Sequence, residues 1–177
     1  LGAAAQLPAA EVLDALRPVL EDPERAKVAH NAKYDIAVLR EAGVEVTGLT
    51  YDTMLAEFLI DPGARLGLKP LAKTRLGIEM TPISELIGTG KAQITMDRVP
   101  VDAAAPYAAA DVDMTLRLMR DQQPELDAHA GRRLLETIEL PLVPVLVDVE
   151  RAGVLVDAGL LGTMSKRLAA RLTEIQT

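Results

Sequence analysis

The feature that most constrains the fold is a junction at which a short apolar run gives way to an amphipathic helix. Val28 and Ala29 have the apolar character of a buried strand. The helical spacing of the apolar residues that follow predicts a helix that Gly43 ends. Reactive groups in open α/β sheets collect where the carboxyl end of a strand meets a helix. Asn31 and Asp35 occupy this place and are therefore candidate site residues.

The same residues also have a purely structural interpretation. Asn31 and Asp35 are one helical turn apart, so they would face one side, with Lys33 and Tyr34 directed elsewhere. Alternatively, Asn31 caps the helix and Asp35 complements its positive end, and spacing alone favours this second interpretation. His30 is interpreted as a satisfied, half-buried residue rather than a metal ligand.

The length and the residue types limit the class of protein. With 177 residues, the chain has room for one compact domain and part of a second. The absence of cysteine excludes disulfides, thiolate metal sites and a cysteine nucleophile, and it is compatible with a reducing cytosol. No apolar run reaches the roughly 18 residues of a membrane span, so we expect a cytoplasmic protein without a membrane partner. The chain begins without Met and ends within a helical pattern, so we expect a segment of a longer protein.

Charge and aromatic content restrict how the chain could handle nucleic acid. Nineteen basic and 26 acidic residues give a net charge of −7, which excludes a bulk electrostatic binder. Only three tyrosines and one phenylalanine are present, which excludes a broad stacking platform for single strands. Any contact with nucleic acid would therefore depend on a few placed groups, most simply carboxylates that hold metal ions.

Apolar spacing and turn residues predict further helices. One is expected from Pro8 to Leu20, and another follows Asp52 as its N-cap. We assign Asp52 to capping rather than to chemistry. A short helix is expected over residues 68–76, where Gly77 ends it.

The loops between these helices are less regular. Residues 44–46 are predicted to form a brief extended piece, followed by a turn that begins at Gly48. Thr81 is predicted to cap a further helix. The run from Gly88 to Lys91 lacks the spacing of a phosphate-binding P-loop, so we predict a mobile loop. Lys91 remains a candidate for contact with a phosphate backbone.

A second candidate pair lies on a helix predicted over residues 101–120. Pro106 is expected to divide this helix into two pieces or to kink it. Tyr107 and Asp111 are four residues apart on the second piece and share a face. The three alanines between them leave space that a substrate backbone could enter. A surface acid beside a half-buried tyrosine explains the spacing equally well.

The last third of the chain is strongly apolar before it becomes amphipathic. Residues 134–149 are predicted to form a helix that Pro141 and Pro144 bend. Asp157 is predicted to cap the final helix. The bent helix has more apolar surface than a terminal tail needs, which suggests that it joins two domains.

Five short motifs follow one another along the chain. They are Asn-Ala-Lys-Tyr-Asp at 31–35, Asp-Thr-Met-Leu at 52–55, Tyr-Ala-Ala-Ala-Asp-Val-Asp at 107–113, Pro-Leu-Val-Pro-Val-Leu at 141–146 and Glu-Arg-Ala-Gly-Val at 150–154. In this order they resemble the 3′-5′ proofreading exonuclease domain of bacterial DNA polymerase I, a family A DNA polymerase. The resemblance implies an α/β, RNase H-like exonuclease fold that is N-terminally incomplete and helix-rich. Residues 1–136 would form the partial exonuclease domain, and residues 137–177 the connecting helix and the start of the polymerase thumb.

The resemblance also implies a reaction and roles for the candidate residues. The family removes the 3′-terminal nucleotide by hydrolysis with two divalent metal ions, here Mg²⁺, Mn²⁺ or Zn²⁺. Asp111 would bind the metal that activates water, and Tyr107 would orient that water. Asp35 would hold the second metal, largely through water. Asn31 and Tyr34 would line the strand-binding site. The implied partners are a single-stranded DNA 3′ end and the remainder of the polymerase chain.

One part of the family's pattern is missing. The family's first motif, an Asp-x-Glu pair on the leading strand, supplies two of the four carboxylates, and no such strand precedes Asp35. Glu11 and Asp14 lie on a predicted helix and do not substitute. We therefore expect the pair to lie upstream and the 177 residues alone to be inactive on DNA.

Two alternatives to a proofreading exonuclease segment stay open. One is a catalytically silent exonuclease-like scaffold that supports a polymerase domain. The other is a stand-alone ribonuclease D-like exonuclease, against which the apolar helix after residue 134 argues.

Overall fold

The computed structural model describes residues 6–176 as a helix-rich chain with a small parallel sheet. The strands are β1 (Lys27–Ala29) and β2 (Leu49–Asp52). The helices are α1 (Ala9–Leu20), α2 (Ala32–Glu41), α3 (Thr53–Ile60), α4 (Leu68–Leu76), α5 (Ile83–Ile87), α6 (Val101–Ala128), α7 (Gly131–Leu134), α8 (Leu140–Ala152) and α9 (Ala158–Gln176). The chain forms two compact units, of which the first ends at Val147 and the second begins at Asp148. None of the helices within residues 6–176 is both long and apolar enough to cross a bilayer.

The two strands pair in parallel, and the second lies where the sequence predicted a turn. The paired residues are Lys27 with Leu49, Val28 with Tyr51 and Ala29 with Asp52. The predicted strand at Val28 is confirmed, but residues 44–46 are irregular and the extended piece is β2 instead. Gly48 allows the chain to enter β2 in this way, because its φ of +70° suits glycine. A Cβ atom added at this position would lie only 2.7 Å from the Arg25 carbonyl oxygen. The sequence did not predict β2, because its buried residue Asp52 is polar and the apolar pattern of a buried strand is therefore absent.

Most helix boundaries follow the sequence, and one cap does not. The structure confirms α1, α3 and α4, and Gly77 ends α4 with φ +68°. The predicted Thr81 cap is wrong, because Pro82 has extended backbone angles (φ −71°, ψ 147°) and α5 begins one residue later. Pro82 then occupies the N-cap position without a side-chain capping bond.

Of the two effects predicted for Pro106, a division of the helix is wrong, and a kink stays a prediction. The helix is continuous over 28 residues, with Pro106 and Pro124 inside it. A proline within a helix costs roughly 3 kcal/mol, because it removes a backbone hydrogen bond and crowds the preceding turn. Burial of Met114, Leu118 and Leu126 along the helix offsets that cost.

A π-helical turn precedes α8. It covers Leu135–Glu139 and ends two residues before Pro141, whose ring would crowd the carbonyl of the turn before it. The wider turn relieves this crowding. Gly153 follows α8 with φ +69°, and the Asp157 carboxylate accepts a hydrogen bond from Leu160 N at 2.8 Å, which confirms the predicted cap of α9.

The core consists of two apolar clusters within the first unit. Tyr51, Ala56, Leu126, Leu135 and Leu140 form one, and Ala32, Ile36, Val143 and Val147 form the other. The first half of α8 contributes to both clusters, so it is part of the core of the first unit. The second cluster holds α2, and with it the candidate residues of the strand-to-helix junction, in place.

Candidate active site

A cleft of about 750 Å³ lies beside β1 and its junction with α2. Its walls come from the end of β1, the first turn of α2, the start of α4 and one face of α6. The cleft is therefore located where the sequence placed reactive groups, at the carboxyl end of a parallel strand.

Five of the six predicted site residues line this cleft. They are Asn31, Tyr34, Asp35, Tyr107 and Asp111. The sixth, Lys91, is exposed in a short 3₁₀ turn, Gly90–Ala92, and is not among the lining residues. The fold thus joins two motifs that are more than 70 residues apart.

Tyr34 differs from the expectation based on spacing. It was predicted to point away from Asn31 and Asp35, yet it lines the same cleft. The reason is that residues three apart share a helix face as well as residues four apart. Its side chain is 68% exposed, which leaves the ring available to a ligand.

The prediction that Asn31 caps α2 is confirmed for its position and wrong for its side chain. Asn31 does precede α2, but it adopts the left-handed conformation (φ 61°, ψ 52°) and its side chain makes no capping hydrogen bond. The amide groups at the start of α2 instead donate to Asp52. Asn31 N lies 3.1 Å from Asp52 Oδ1, and Ala32 N lies 2.7 Å from Asp52 Oδ2.

Asp52 also caps its own helix, as the sequence predicted. Its Oδ1 atom accepts hydrogen bonds from Met54 N at 2.9 Å and Leu55 N at 3.3 Å. One carboxylate therefore holds the N-termini of both α2 and α3, where the helix dipoles favour negative charge. The contact with α2 depends on the parallel pairing of β1 with β2, and no local pattern in the sequence indicates it.

Asp35 lies in the first turn of α2 at the edge of the cleft. Burial raises the pKa of Asp35 above its usual value, and the negative charge of Asp52 raises this pKa further. Both effects disfavour the carboxylate form of Asp35. A cation in the cleft would act in the opposite direction and stabilise that form.

His30 is confirmed as a satisfied, half-buried residue. Its Nδ1 atom lies 2.8 Å from Thr53 Oγ1. Burial lowers the pKa of His30, while the charges of Asp52 and Asp111 oppose that change. His30 forms part of the cleft wall in this hydrogen-bonded position.

Asp111 and Tyr107 face the cleft from α6 and are joined by a residue that the sequence did not indicate. The Asp111 Oδ1 atom is buried and accepts no hydrogen bond from the described part of the chain. Lys69 Nζ lies 3.6 Å from this oxygen. The same ammonium donates a hydrogen bond to the Tyr107 hydroxyl at 3.0 Å. Lys69 lies 38 residues before Tyr107 in the sequence, so only the tertiary structure places it in the site.

A sequence profile described as 3′-5′ exonuclease matches residues 3–127 of the chain, a range that includes every residue lining the cleft. The chain belongs to this 3′-5′ exonuclease family. The family indicated by the five motifs is thereby confirmed.

The curated relatives of this chain are longer proteins named DNA polymerase I. DNA polymerase I from Pseudomonas aeruginosa is 42% identical over 180 residues, which cover 99% of this chain and 20% of the relative. DNA polymerase I from Chloroflexus aurantiacus is 43% identical over 173 residues, covering 96% of this chain and 18% of the relative. The chain therefore spans about a fifth of the length of these relatives.

A solved structure is also similar to this chain. It is the POL domain of Pol1 from M. smegmatis in complex with a DNA primer-template and dNTP. The TM-score is 0.71 at 26% sequence identity, over 96% of this chain and 26% of that one.

The described residues of this chain do not form a complete metal centre. Within residues 6–176, no group of three or more His, Cys, Asp or Glu side chains is arranged to hold a metal ion. Asp22 and Glu24 have the spacing of an Asp-x-Glu pair. They lie in the turn after α1 rather than on a strand, and Glu24 N donates to Asp22 Oδ1 at 2.9 Å. Neither residue lines the cleft.

Proposed function

We propose that this chain carries part of the proofreading 3′-5′ exonuclease site of a DNA polymerase. The reaction would be hydrolysis of the 3′-terminal phosphodiester of single-stranded DNA with two divalent metal ions. The observation that carries the proposal is the meeting of Asp35, Tyr107 and Asp111 in one cleft. Membership of the exonuclease family and the DNA polymerase I relatives support the reaction and the substrate class.

The cleft acids suit a divalent metal ion. The buried Asp111 Oδ1 atom has no hydrogen-bond donor among the described residues, and Asp35 lacks the surroundings that would favour its charged form. Carboxylate oxygens are preferred ligands of Mg²⁺ and Mn²⁺, whereas Zn²⁺ favours nitrogen and sulfur. Asp111 would therefore bind one ion directly and Asp35 would hold the second. When bound, such ions activate water and stabilise charge on the leaving oxygen.

Side chains on the other walls would orient the substrate and water. The Lys69 ammonium donates to the Tyr107 oxygen, so the Tyr107 hydroxyl hydrogen remains available to a water in the cleft. The exposed Tyr34 ring would stack on a terminal base, and the Asn31 amide would hydrogen-bond to the strand. These few contacts match a chain whose net charge is negative.

Two acids are too few for two metal ions, so the proposal requires further carboxylates. The family resemblance implies an Asp-x-Glu pair on an additional strand of an RNase H-like sheet, from outside these 177 residues. The isolated chain would then be inactive on DNA. Residues 137–177 would connect this exonuclease domain, residues 1–136, to the thumb of the polymerase.

The ion pair between Lys69 and Asp111 supports a second candidate function. An acid that already has a cationic neighbour does not need a metal for stability, as a silent exonuclease-like scaffold would require. The DNA polymerase I relatives favour either of these polymerase roles over a stand-alone ribonuclease D-like exonuclease.

Degradation of a 5′-labelled single-stranded DNA by the full-length protein tests the proposal. We expect stepwise shortening from the 3′ end that requires Mg²⁺ or Mn²⁺ and stops with a chelator. Asp111→Ala should lower the rate by about 100-fold or more. Asp113→Ala is the matched control, because Asp113 is an exposed neighbour on α6 that pairs with Arg117 at 2.9 Å.

Two outcomes would contradict parts of the proposal. Full activity in the Asp111→Ala variant would mean that the hydrolysis occurs elsewhere in the protein, which favours the scaffold function for this cleft. Release of mononucleotides by the isolated 177-residue chain would show that no further carboxylates are needed.

A further inference from the structure

Lys69 is a cation in the wall of the cleft to which neither the sequence motifs nor the family match assigns a role. It is the second residue of α4. Its Nζ atom is 3.0 Å from the Tyr107 hydroxyl, 3.6 Å from Asp111 Oδ1 and 4.2 Å from the centroid of the Tyr107 ring. A single ammonium therefore contacts the phenol and the acid that the proposed function places in catalysis.

The two contacts of Lys69 differ in kind. At 3.0 Å, the contact with Tyr107 is a hydrogen bond, and the position near the ring adds a cation–π attraction. At 3.6 Å, the contact with Asp111 is an ion pair without a hydrogen bond. The Asp111 oxygen is thus neutralised by charge while its lone pairs remain without a donor, so a stronger cation could replace the ammonium there.

We propose that Lys69 is the internal counter-cation of this cleft. In the metal-free protein it compensates the charge of Asp111. When a divalent ion binds, Lys69 gives up Asp111 and stays on the Tyr107 hydroxyl as a positioning residue. This inference deepens the proposed function, on which it depends for the identity of the competing cation.

The structure of α4 suits this role. The helix is fixed near its other end, where Arg75 makes hydrogen bonds of 3.0 Å to Asp121 and Glu125 on α6. Lys69 therefore stands on a rigid element but carries its charge on a flexible four-carbon stem. The ammonium can move away from Asp111 without any displacement of the helix.

Mn²⁺ binding to the full-length protein, followed by calorimetry without DNA or nucleotide, tests this inference. The Asp111→Asn variant identifies which binding sites depend on Asp111. We expect Lys69→Met to tighten Mn²⁺ binding at these sites by about threefold to tenfold, because a competing positive charge is removed. At saturating Mn²⁺, the same variant should shorten DNA about tenfold more slowly, because Tyr107 loses its hydrogen-bond donor.

Two further variants separate this role from a structural one. Lys73→Met removes a cation one turn along α4 that pairs with Glu79 at 2.9 Å, and it should change neither measurement. Lys69→Arg keeps the charge and should keep Mn²⁺ affinity near the wild-type value. Lys69→Gln repeats the charge removal with a polar side chain, and it stands in if Lys69→Met lowers the melting temperature.

Removal of the Lys69 charge is expected to tighten Mn²⁺ binding and to slow the shortening of DNA, and these opposite effects distinguish the proposed role from a structural one. A merely structural lysine would weaken both Mn²⁺ binding and the exonuclease rate when it is removed. Weaker or unchanged Mn²⁺ affinity in both charge-removing variants, or no Asp111-dependent Mn²⁺ binding in any variant, overturns the inference. An inactive wild-type exonuclease would instead overturn the proposed function, and the Mn²⁺ titration would still decide the role of Lys69.

Discussion

The acids of the interior and the acids of the cleft have opposite surroundings. Asp52 is 1% exposed and accepts hydrogen bonds from four backbone N–H groups. Glu57 is 4% exposed and accepts hydrogen bonds from an arginine and a glutamine. In the cleft, Asp35 has its pKa raised by burial and by a neighbouring charge. Asp111 there has a buried oxygen without a hydrogen bond and only Lys69 to balance its charge.

This contrast separates acids whose hydrogen bonds stabilise the fold from the acids to which we assign the proposed metal ions. A buried carboxylate in a native protein is normally satisfied, so an unsatisfied oxygen needs an explanation. The cleft acids lie beside a strand-to-helix junction and an open surface, where the proposed metal ion would supply that explanation. The hydrogen bonds to each carboxylate thus distinguish Asp52 from Asp111.

The largest expected effect is at the arginine that pairs with the interior acid Glu57. Arg75→Ala would leave Glu57 buried and charged with only a glutamine as partner. We expect the free energy of unfolding to fall by about 3–5 kcal/mol. Urea denaturation measures this change. The control is Arg117→Ala, which breaks an exposed pair with Asp113 and should cost less than about 0.5 kcal/mol.

Equal losses in those two variants would remove the distinction between satisfied interior acids and surface acids. A small loss in Arg75→Ala alone would mean that Arg75 is not required for the burial of Glu57.

Asp52→Ala is the next largest change. It removes the caps of α2 and α3 together, and each cap is worth about 0.5–2 kcal/mol, so we expect a loss of about 2–4 kcal/mol. Asp52→Asn keeps an oxygen for Met54 N but replaces the acceptor of Ala32 N, so about half of the loss should remain. Urea denaturation and amide exchange at Ala32 and Met54 measure both effects. Faster amide exchange at Met54 than at Ala32 in Asp52→Asn, with the side-chain oxygen unmoved, would contradict the assignment of Met54 N to Oδ1 and of Ala32 N to Oδ2.

Asp111→Asn should affect stability little, in contrast to the Asp52 variants. The Asp111 oxygen makes no hydrogen bond to lose, and its ion pair with Lys69 is partly exposed. We expect the free energy of unfolding to change by less than about 1 kcal/mol, while the exonuclease rate of the full-length protein is lost. Thermal unfolding of the metal-free protein measures the first quantity. A loss as large as that of Asp52→Ala would place Asp111 among the structural acids.

The smallest effect concerns the pH dependence of Asp35. Its pKa is raised in the folded state, so the folded chain binds more protons there than the unfolded chain does. The stabilisation from Asp35 is therefore fully present at low pH. It is lost as the pH rises from the ordinary aspartate pKa of 3.8 through the higher pKa of Asp35 in the folded chain. Asp35→Asn removes this loss, and its stability relative to the wild type should increase with pH over that range. Denaturation curves at several pH values would show a constant difference if the carboxylate were not perturbed.

Local patterns in the sequence were sufficient for the elements that carry the site, because those elements have regular apolar spacing. The strand at Val28 follows from a short apolar run. The helix that holds Asp35 and the face shared by Tyr107 and Asp111 follow from the helical period of 3.6 residues. Burial of α6 overrode the helix-breaking tendency of Pro106, which only tertiary packing decides.

The contacts that complete the site lie beyond such patterns. Lys69 reaches Tyr107 across 38 residues, and Asp52 reaches Ala32 across 20. Neither contact produces a local pattern in the sequence, because the first depends on the packing of α4 and the second on the pairing of the two strands. The same limit explains why Asn31 was predicted as a cap, since the true acceptor for its helix belongs to the next strand.

The left-handed backbone of Asn31 restricts which amino acids a mutational library would retain at that position. Among residues 6–176, it is the single non-glycine residue with positive φ. Selection for folding alone should enrich glycine, asparagine and aspartate, which tolerate this conformation best. Selection for binding a DNA strand would discard glycine, which has no side chain, and aspartate, which repels phosphate. The two selections together converge on the asparagine that is present.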